Sequence, residues 1–327
     1  MFLDYTFAFL LFALTLSSLI GGENGSTTMA PSHSAGVLNP RLLTIISGIA
    51  IMLGALLIGK NVAITIGKKL VPPDILKQNL YTLCYYVNSS IYIALAIFFK
   101  VPIATTHMVT LTVVSIGIHT GELNSQKFFD ILKWWLFTPT LAFVGGFLFE
   151  KYIYFRLVDF SARYDIEKVR NVFKFFVVAS GTYFAFSAGA NNLANSMGVI
   201  SVRFDNSYYD FILTIGSLSF GFGAVLLSPR ILRAVGEKIF KLGILRASVL
   251  QVMEGTIILF ASILGIPVSI NETITSGIIG ISCAREGFRK TLTKRYILTI
   301  FFFWFIIPWI ALGSGLFFCW FLDLIFD

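Results

Sequence analysis

Three asparagines and two serines crowd into ten residues of an otherwise apolar run, Ser187-Ala-Gly-Ala-Asn191-Asn192-Leu-Ala-Asn195-Ser196. A second segment of the same character, Gly21-Gly22-Glu23-Asn24-Gly25-Ser26-Thr27-Thr28, lies 167 residues earlier. A buried amide without a partner costs several kcal/mol, so both segments must face protein, water or a ligand. Their glycines allow a helix to unwind and expose backbone N–H groups. A helix that restarts there turns its partial positive charge toward the break, which suits an anion. Amides and hydroxyls can also serve as interhelical glue. Two such segments at matching positions favour a binding site, with Asn24, Ser26, Thr27, Thr28, Asn191, Asn192, Asn195 and Ser196 as its candidates.

Two shorter apolar runs open on proline and hydroxyl groups. Val101-Pro102-Ile103-Ala104-Thr105-Thr106-His107 begins one, and Ile266-Pro267-Val268-Ser269-Ile270-Asn271-Glu272-Thr273 begins the other. Proline near a helix start followed by free N–H groups makes an anion-accepting end, which adds Thr105, Thr106, Ser269 and Asn271. Ordinary capping is the plainer reading of the same residues. Ionisable groups within membrane-type sequence are functional candidates by default. Here these are His107, Glu23, Glu272 and Glu254. His107 and Glu272 stand 165 residues apart, as do Pro102 and Pro267. His107, Glu272 and Glu23 are therefore candidates for proton coupling, against the alternative of a structural histidine or an interface glutamate.

These residues belong to a chain built for lipid. Of its 327 residues 56% are hydrophobic and 13% charged, with mean hydropathy +0.82. A soluble domain has about a quarter of its residues charged, so most of this surface faces something other than water. Apolar helices are expected near 5–20, 41–59, 78–99, 128–155, 171–188, 208–228, 247–265 and 295–325. The runs at 102–118 and 266–283 are short for a crossing of roughly 17–25 residues and suit re-entrant hairpins. The net charge of +8 comes from short basic connectors, as on the cytoplasmic face of a membrane, and excludes nucleic acid as the expected partner. Cys84, Cys283 and Cys319 match no metal spacing or disulfide framework. The first twenty residues lack a positive n-region and are expected to be a retained span with its N-terminus outside.

An internal repeat organises the chain. GALLIGKNVAITIGKKL (54–70) aligns with GAVLLSPRILRAVGEKI (223–239) at an offset of 169. Pro139 and Pro308 share that offset, and the polar segments and the Pro102/Pro267 pair follow at 167 and 165. The expected organisation is a repeat over 1–155, a polar connector over 156–170 and a second repeat over 171–327. Two such halves are the plan of secondary transporters, whose sites lie at the repeat interface near the bilayer midplane. The sequence leaves open whether the repeats are parallel or inverted.

GANNLANSMG (189–198) and PIATTH (102–107) resemble the motifs of the inorganic phosphate transporter (PiT) family, whose signature GANDxANxxG occurs in each half with a Pro-x-Ser-Thr-Thr-His-like segment after it. The resemblance covers nearly the whole chain. It implies an all-α polytopic membrane protein of two inverted repeats with broken helices and re-entrant hairpins, which moves phosphate with Na⁺ or H⁺ across the cell membrane. It also implies that Asn24, Asn191, Asn195, Thr105, Thr106 and Ser269 fall at or near substrate or ion positions. Two departures matter. Gly25 and Asn192 replace the signature aspartates, and Ser-Ile-Asn-Glu replaces the second Ser-Thr-Thr-His. The family's sulfate-permease branch resembles this chain in its Asn-Asn. A site without carboxylate acceptors suits sulfate, which carries no proton at neutral pH, whereas phosphate would offer protons to an Asp.

The expected function is secondary active transport of phosphate, the family default, with proton-coupled sulfate transport as the alternative. The expected partners are the anion, the bilayer and a second copy of the chain in a homodimer. Neither an organic cofactor nor a bound metal is expected. The chain contains no Walker motif and only three scattered histidines, which argues against an ATP-driven pump and a metal-dependent membrane enzyme. An anion channel is the remaining competitor, distinguished by current rather than gradient-driven uptake.

Overall fold

The computed structural model describes residues 5–34, 36–99, 104–239 and 242–326. Val101, Pro102, Ile103 and Lys241 lie outside them. In chain order the helices are α1 (Thr6–Ser34), α2 (Pro40–Ile58), α3 (Lys60–Ile64), α4 (Pro73–Leu76), α5 (Asn79–Phe99), α6 (Thr105–Thr120), α7 (Ser125–Leu148) and α8 (Tyr154–Ser161). They continue as α9 (Ile166–Asn192), α10 (Ala194–Ser201), α11 (Asn206–Ile239), α12 (Ile244–Ile263), α13 (Ile270–Glu286), α14 (Phe288–Leu292), α15 (Arg295–Phe305) and α16 (Ile307–Phe326). Single π-turns at Thr65–Lys69 and Phe149–Ile153 extend α3 and join α7 to α8. The described residues contain no strand. Seven helical stretches are long and apolar enough to cross a membrane.

Local sequence sets the boundaries. Asn39, Asn124, Asp165 and Ser269 each accept a backbone N–H at the head of α2, α7, α9 and α13, the usual N-cap bond. α12 ends at Gly265, whose φ of +69° only glycine adopts cheaply. Ile266 N then donates back to Ala261 O at 2.9 Å, a Schellman-type closure that turns the chain into the loop before α13.

Two expectations are corrected. The first span does not stop near residue 20. α1 continues unbroken through Gly21–Thr28 to Ser34, about 44 Å at 1.5 Å per residue. Near Asn191 the chain does not unwind either. Leu193, between α9 and α10, keeps helical angles of φ −53° and ψ −37°. The physical reason is that the side-chain amides find partners on neighbouring helices, so the backbone need not open.

The glycines of these segments serve close approach instead. A Cβ on Gly54 would lie 1.8 Å from Phe186 O, and one on Gly189 would lie 2.0 Å from Ile51 O, so α2 and α9 touch main chain to main chain. The crossing of α1 and α11 does the same, since an added Cβ on Gly21 would lie 2.0 Å from Phe220 O and one on Gly223 2.0 Å from Ser18 O. Small residues let membrane helices pack this tightly. The remaining packing is also crosswise. α6 lies on α16, and α13 lies on α7. At about 24 and 26 Å, α6 and α13 fall short of a 30 Å hydrocarbon core, and their first turns are buried. The root of α13 is held by Glu150, buried between α7 and α8. It accepts two bonds of 2.7 Å from Arg246 and lies 3.9 Å from Arg285.

Gly54→Ala and Gly223→Ala are each expected to destabilise the protein by about 1–3 kcal/mol through overpacking, read as a lower thermal midpoint in detergent. Gly313→Ala, where an added Cβ meets nothing within 4 Å, is expected to leave the midpoint unchanged.

Candidate functional site

The centre is built from the first turns of α6 and α13 set against the polar stretches of α1, α9 and α10. Neither Lys nor Arg occurs in segments 20–34, 104–118, 175–202 or 262–284, so these segments offer an anion dipoles and no permanent cation. One chain of side chains crosses four helices. Asn192 Nδ2 donates to Asn24 Oδ1 at 3.2 Å, Thr106 Oγ1 donates to Asn192 Oδ1 at 3.3 Å, and Asn195 Nδ2 donates to Thr106 Oγ1 at 3.0 Å. All four residues are at most 2% exposed. Among the described residues two of their atoms have no partner, the Asn24 amide nitrogen and the Asn195 carbonyl oxygen. Thr105 is buried beside them at the head of α6, where Ala104 supplies no capping side chain.

A second group joins α1 to α13. Thr27 Oγ1 donates to Asn271 Oδ1 at 3.2 Å, and Asn271 Nδ2 donates to Glu23 Oε1 at 2.7 Å. A third joins the two short helices directly, with His107 Nδ1 3.3 Å from Glu272 Oε1 and both residues buried. His107 stacks on Trp135 with ring centroids 3.8 Å apart, and Trp135 Nε1 donates to Pro267 O at 2.9 Å. A cavity of about 440 Å³ between α7, α13, α15 and α16 reaches this pair, its walls otherwise mostly apolar, as at Trp309 and Phe305.

The remaining sequence candidates do other work. Asn191 clamps the loop ahead of α13, donating to Ser262 Oγ and Ile266 O and accepting from Val268 N, each at 3.0 Å. Ser269 caps α13 by accepting from Glu272 N at 3.3 Å. Ser26 and Ser196 donate to carbonyls of their own helical turn. Thr28 bonds Asn24 O and approaches Ser47 Oγ. Sequence reasoning missed Tyr85 and Tyr86 of α5. Their hydroxyls donate to Asn195 O and Ser196 O at 2.9 and 2.8 Å and fix α10 beside the centre. The available signal was a pair of tyrosines within a membrane span, where each hydroxyl needs a partner. Trp135 gave no comparable signal among the many aromatic residues.

The arrangement is closed. Amides and hydroxyls from separate helices bond one another, and the heads of two short helices aim at the same region. Spread apart, the same groups would offer N–H and O–H donors to a small anion and hold it without a fixed cation.

Residues 20–315 match the model of the Phosphate transporter family. Sulfate permease CysP of Bacillus subtilis is 25% identical over 317 residues, covering 94% of this chain and 85% of its own. A putative phosphate permease of Pyrococcus furiosus is 23% identical over 390 residues, covering 94% of each. A solved structure titled the sodium-dependent phosphate transporter superposes with a TM-score of 0.81 at 21% identity, covering 97% of this chain and all of that one.

Asn191→Leu is expected to cost on the order of 3 kcal/mol, because it strands the buried Val268 N–H and two acceptors. The check is a lowered thermal midpoint together with earlier proteolysis at the 264–269 loop.

Proposed function

The chain belongs to the phosphate transporter family, and from that footing we propose that it is a secondary active transporter of a tetrahedral inorganic oxyanion, working by alternating access between two inverted repeats. The observation that carries the proposal is the Asn24–Asn192–Thr106–Asn195 chain, because it draws neutral donors from α1, α6, α9 and α10 into one dry place. An oxyanion entering there replaces the amide–amide bonds with charge-assisted ones, which are shorter and roughly twice as strong. The unpartnered Asn24 nitrogen is a donor already in position. Family membership supports phosphate as the substrate, and the multi-pass membrane setting fits that role.

A second reading, sulfate, is favoured by one feature. Gly25 and Asn192 leave the centre without the proton-accepting carboxylates that a protonated phosphate would use, and Glu23 is engaged by Asn271. In either reading the coupling ion is a proton passed through the His107–Glu272 contact, which links the two short helices and borders a cavity. Coupling to Na⁺ would instead draw on the oxygens of Glu23.

Purified protein in liposomes is expected to accumulate labelled phosphate or sulfate under an imposed H⁺ or Na⁺ gradient. Failure to accumulate either anion under both gradients overturns the assignment. Asn24→Ala and Asn192→Ala are expected to weaken anion binding about tenfold to a hundredfold, the range for losing one hydrogen bond to a charged group, as read from the half-saturating concentration for uptake. His107→Ala and Glu272→Gln are expected to abolish the dependence of uptake on the pH gradient. Uptake by these variants that still follows the gradient as the parent does removes the pair from coupling.

A further inference from the structure

Glu254 takes no part in the centre described above. It lies on α12, is 0% exposed, and neither of its carboxyl oxygens has a hydrogen-bond partner among the described residues. Its side chain lies against Gly277 of α13, where an added Cβ would come within 2.5 Å of Glu254 Oε1 and 2.6 Å of Leu250 Cδ1. The repeat gives this contact a counterpart in the other half. At the offset of 165 that relates His107 to Glu272, Gly277 corresponds to Thr112 and Glu254 to Ser89. In the first half the counterpart Ser89 Oγ is also buried without a partner among the described residues, and Thr112 Oγ1 is instead met by Asn88 Nδ2 at 2.8 Å. In the second half a carboxyl group meets a bare glycine.

The helices around α12 do not supply a counter-charge. Toward this stretch α13 turns Gly277, α9 turns Tyr183 and Ser180, α1 turns Thr28 and Ser32, and α7 turns Gly145. Of the charged groups on the surrounding elements, Glu272 is engaged with His107, Glu23 with Asn271, Glu150 with Arg246, and Lys60 of α3 with Asp210. A carboxylate buried without a partner or cation costs several kcal/mol, and its immediate neighbours offer no oxygen cage for a metal ion. We infer that Glu254 is a proton-binding site inside the membrane, separate from the His107–Glu272 pair, whose proton is exchanged during the transport cycle. The exchange rests on the transport reading above, whereas the proton binding does not.

Infrared difference spectroscopy on the protein in lipid tests the binding directly. The parent is expected to show a carboxyl C=O band that falls reversibly in alkaline buffer and is missing from Glu254→Gln. Should that variant fail to fold, Glu254→Asp is expected to move the band. In proteoliposomes, Glu254→Gln is expected to exchange labelled anion across the membrane as the parent does. It is also expected to lose the roughly tenfold accumulation that a one-unit pH gradient drives per proton. A band unaltered by these substitutions, or accumulation by Glu254→Gln equal to the parent's, overturns the inference. If the parent neither exchanges nor accumulates phosphate or sulfate, the transport reading fails, while the spectra still decide whether Glu254 binds a proton.

Discussion

A primary amide in hydrocarbon must find a partner or cost the fold several kcal/mol, and the architecture follows from how this chain meets that demand. Asn24, Asn192 and Asn195 cannot be satisfied by their own helices, whose backbone bonds are already made. Their bonds therefore run between helices, and each needs a neighbour at hydrogen-bonding distance. That neighbour is close because α1 crosses α11, and α2 crosses α9, at glycines that bring the main chains into contact. The polar centre and the glycine crossings thus depend on each other. Loosening the crossings would open the amide bonds, and apolar residues in place of the amides would leave little reason for the short helices to turn inward.

The same demand gives the centre its chemistry. Without lysine or arginine nearby, an anion held there is neutralised only by dipoles. Such a site can release its ligand as readily as it takes it up, which a carrier needs more than it needs tight binding. The ionisable groups are arranged accordingly. Glu23 is tied to Asn271, His107 to Glu272, and Glu150 to Arg246 at the edge, which leaves each of these groups, unlike Glu254, with a partner that a helix movement can take away.

Much of this was legible in the residues, because the periodicity of polar residues in apolar sequence is a strong signal. Segments 21–28 and 187–196 stood out for their amides, and the structure brings both to one place. The proline-led runs announced α6 and α13, and the register of His107 with Glu272 singled both out as candidates, although their direct contact appears only in the structure. The error concerned what glycine does. Gly21, Gly22 and Gly189 suggested unwinding, yet they lie within regular helix and admit a neighbouring backbone. Composition does not distinguish those two uses, since each needs only a missing Cβ. The roles of Asn191 as a loop clamp and of Tyr85 and Tyr86 as anchors for α10 were hidden for another reason. They depend on which carbonyls end up within reach, and that is fixed by packing between segments more than a hundred residues apart in the case of the tyrosines.

The crosswise packing also bears on how the chain is made. α1 rests chiefly on α11, and α6 rests on α16, so the first helices to enter the membrane leave their final neighbours about two hundred residues behind on the ribosome. Until those arrive, the glycine face of α1 has no main chain to receive it, and Asn24 has no Asn192. The two glycine crossings close together when α9 to α11 enter, and α6 and α7 meet their neighbours α16 and α13 only after that.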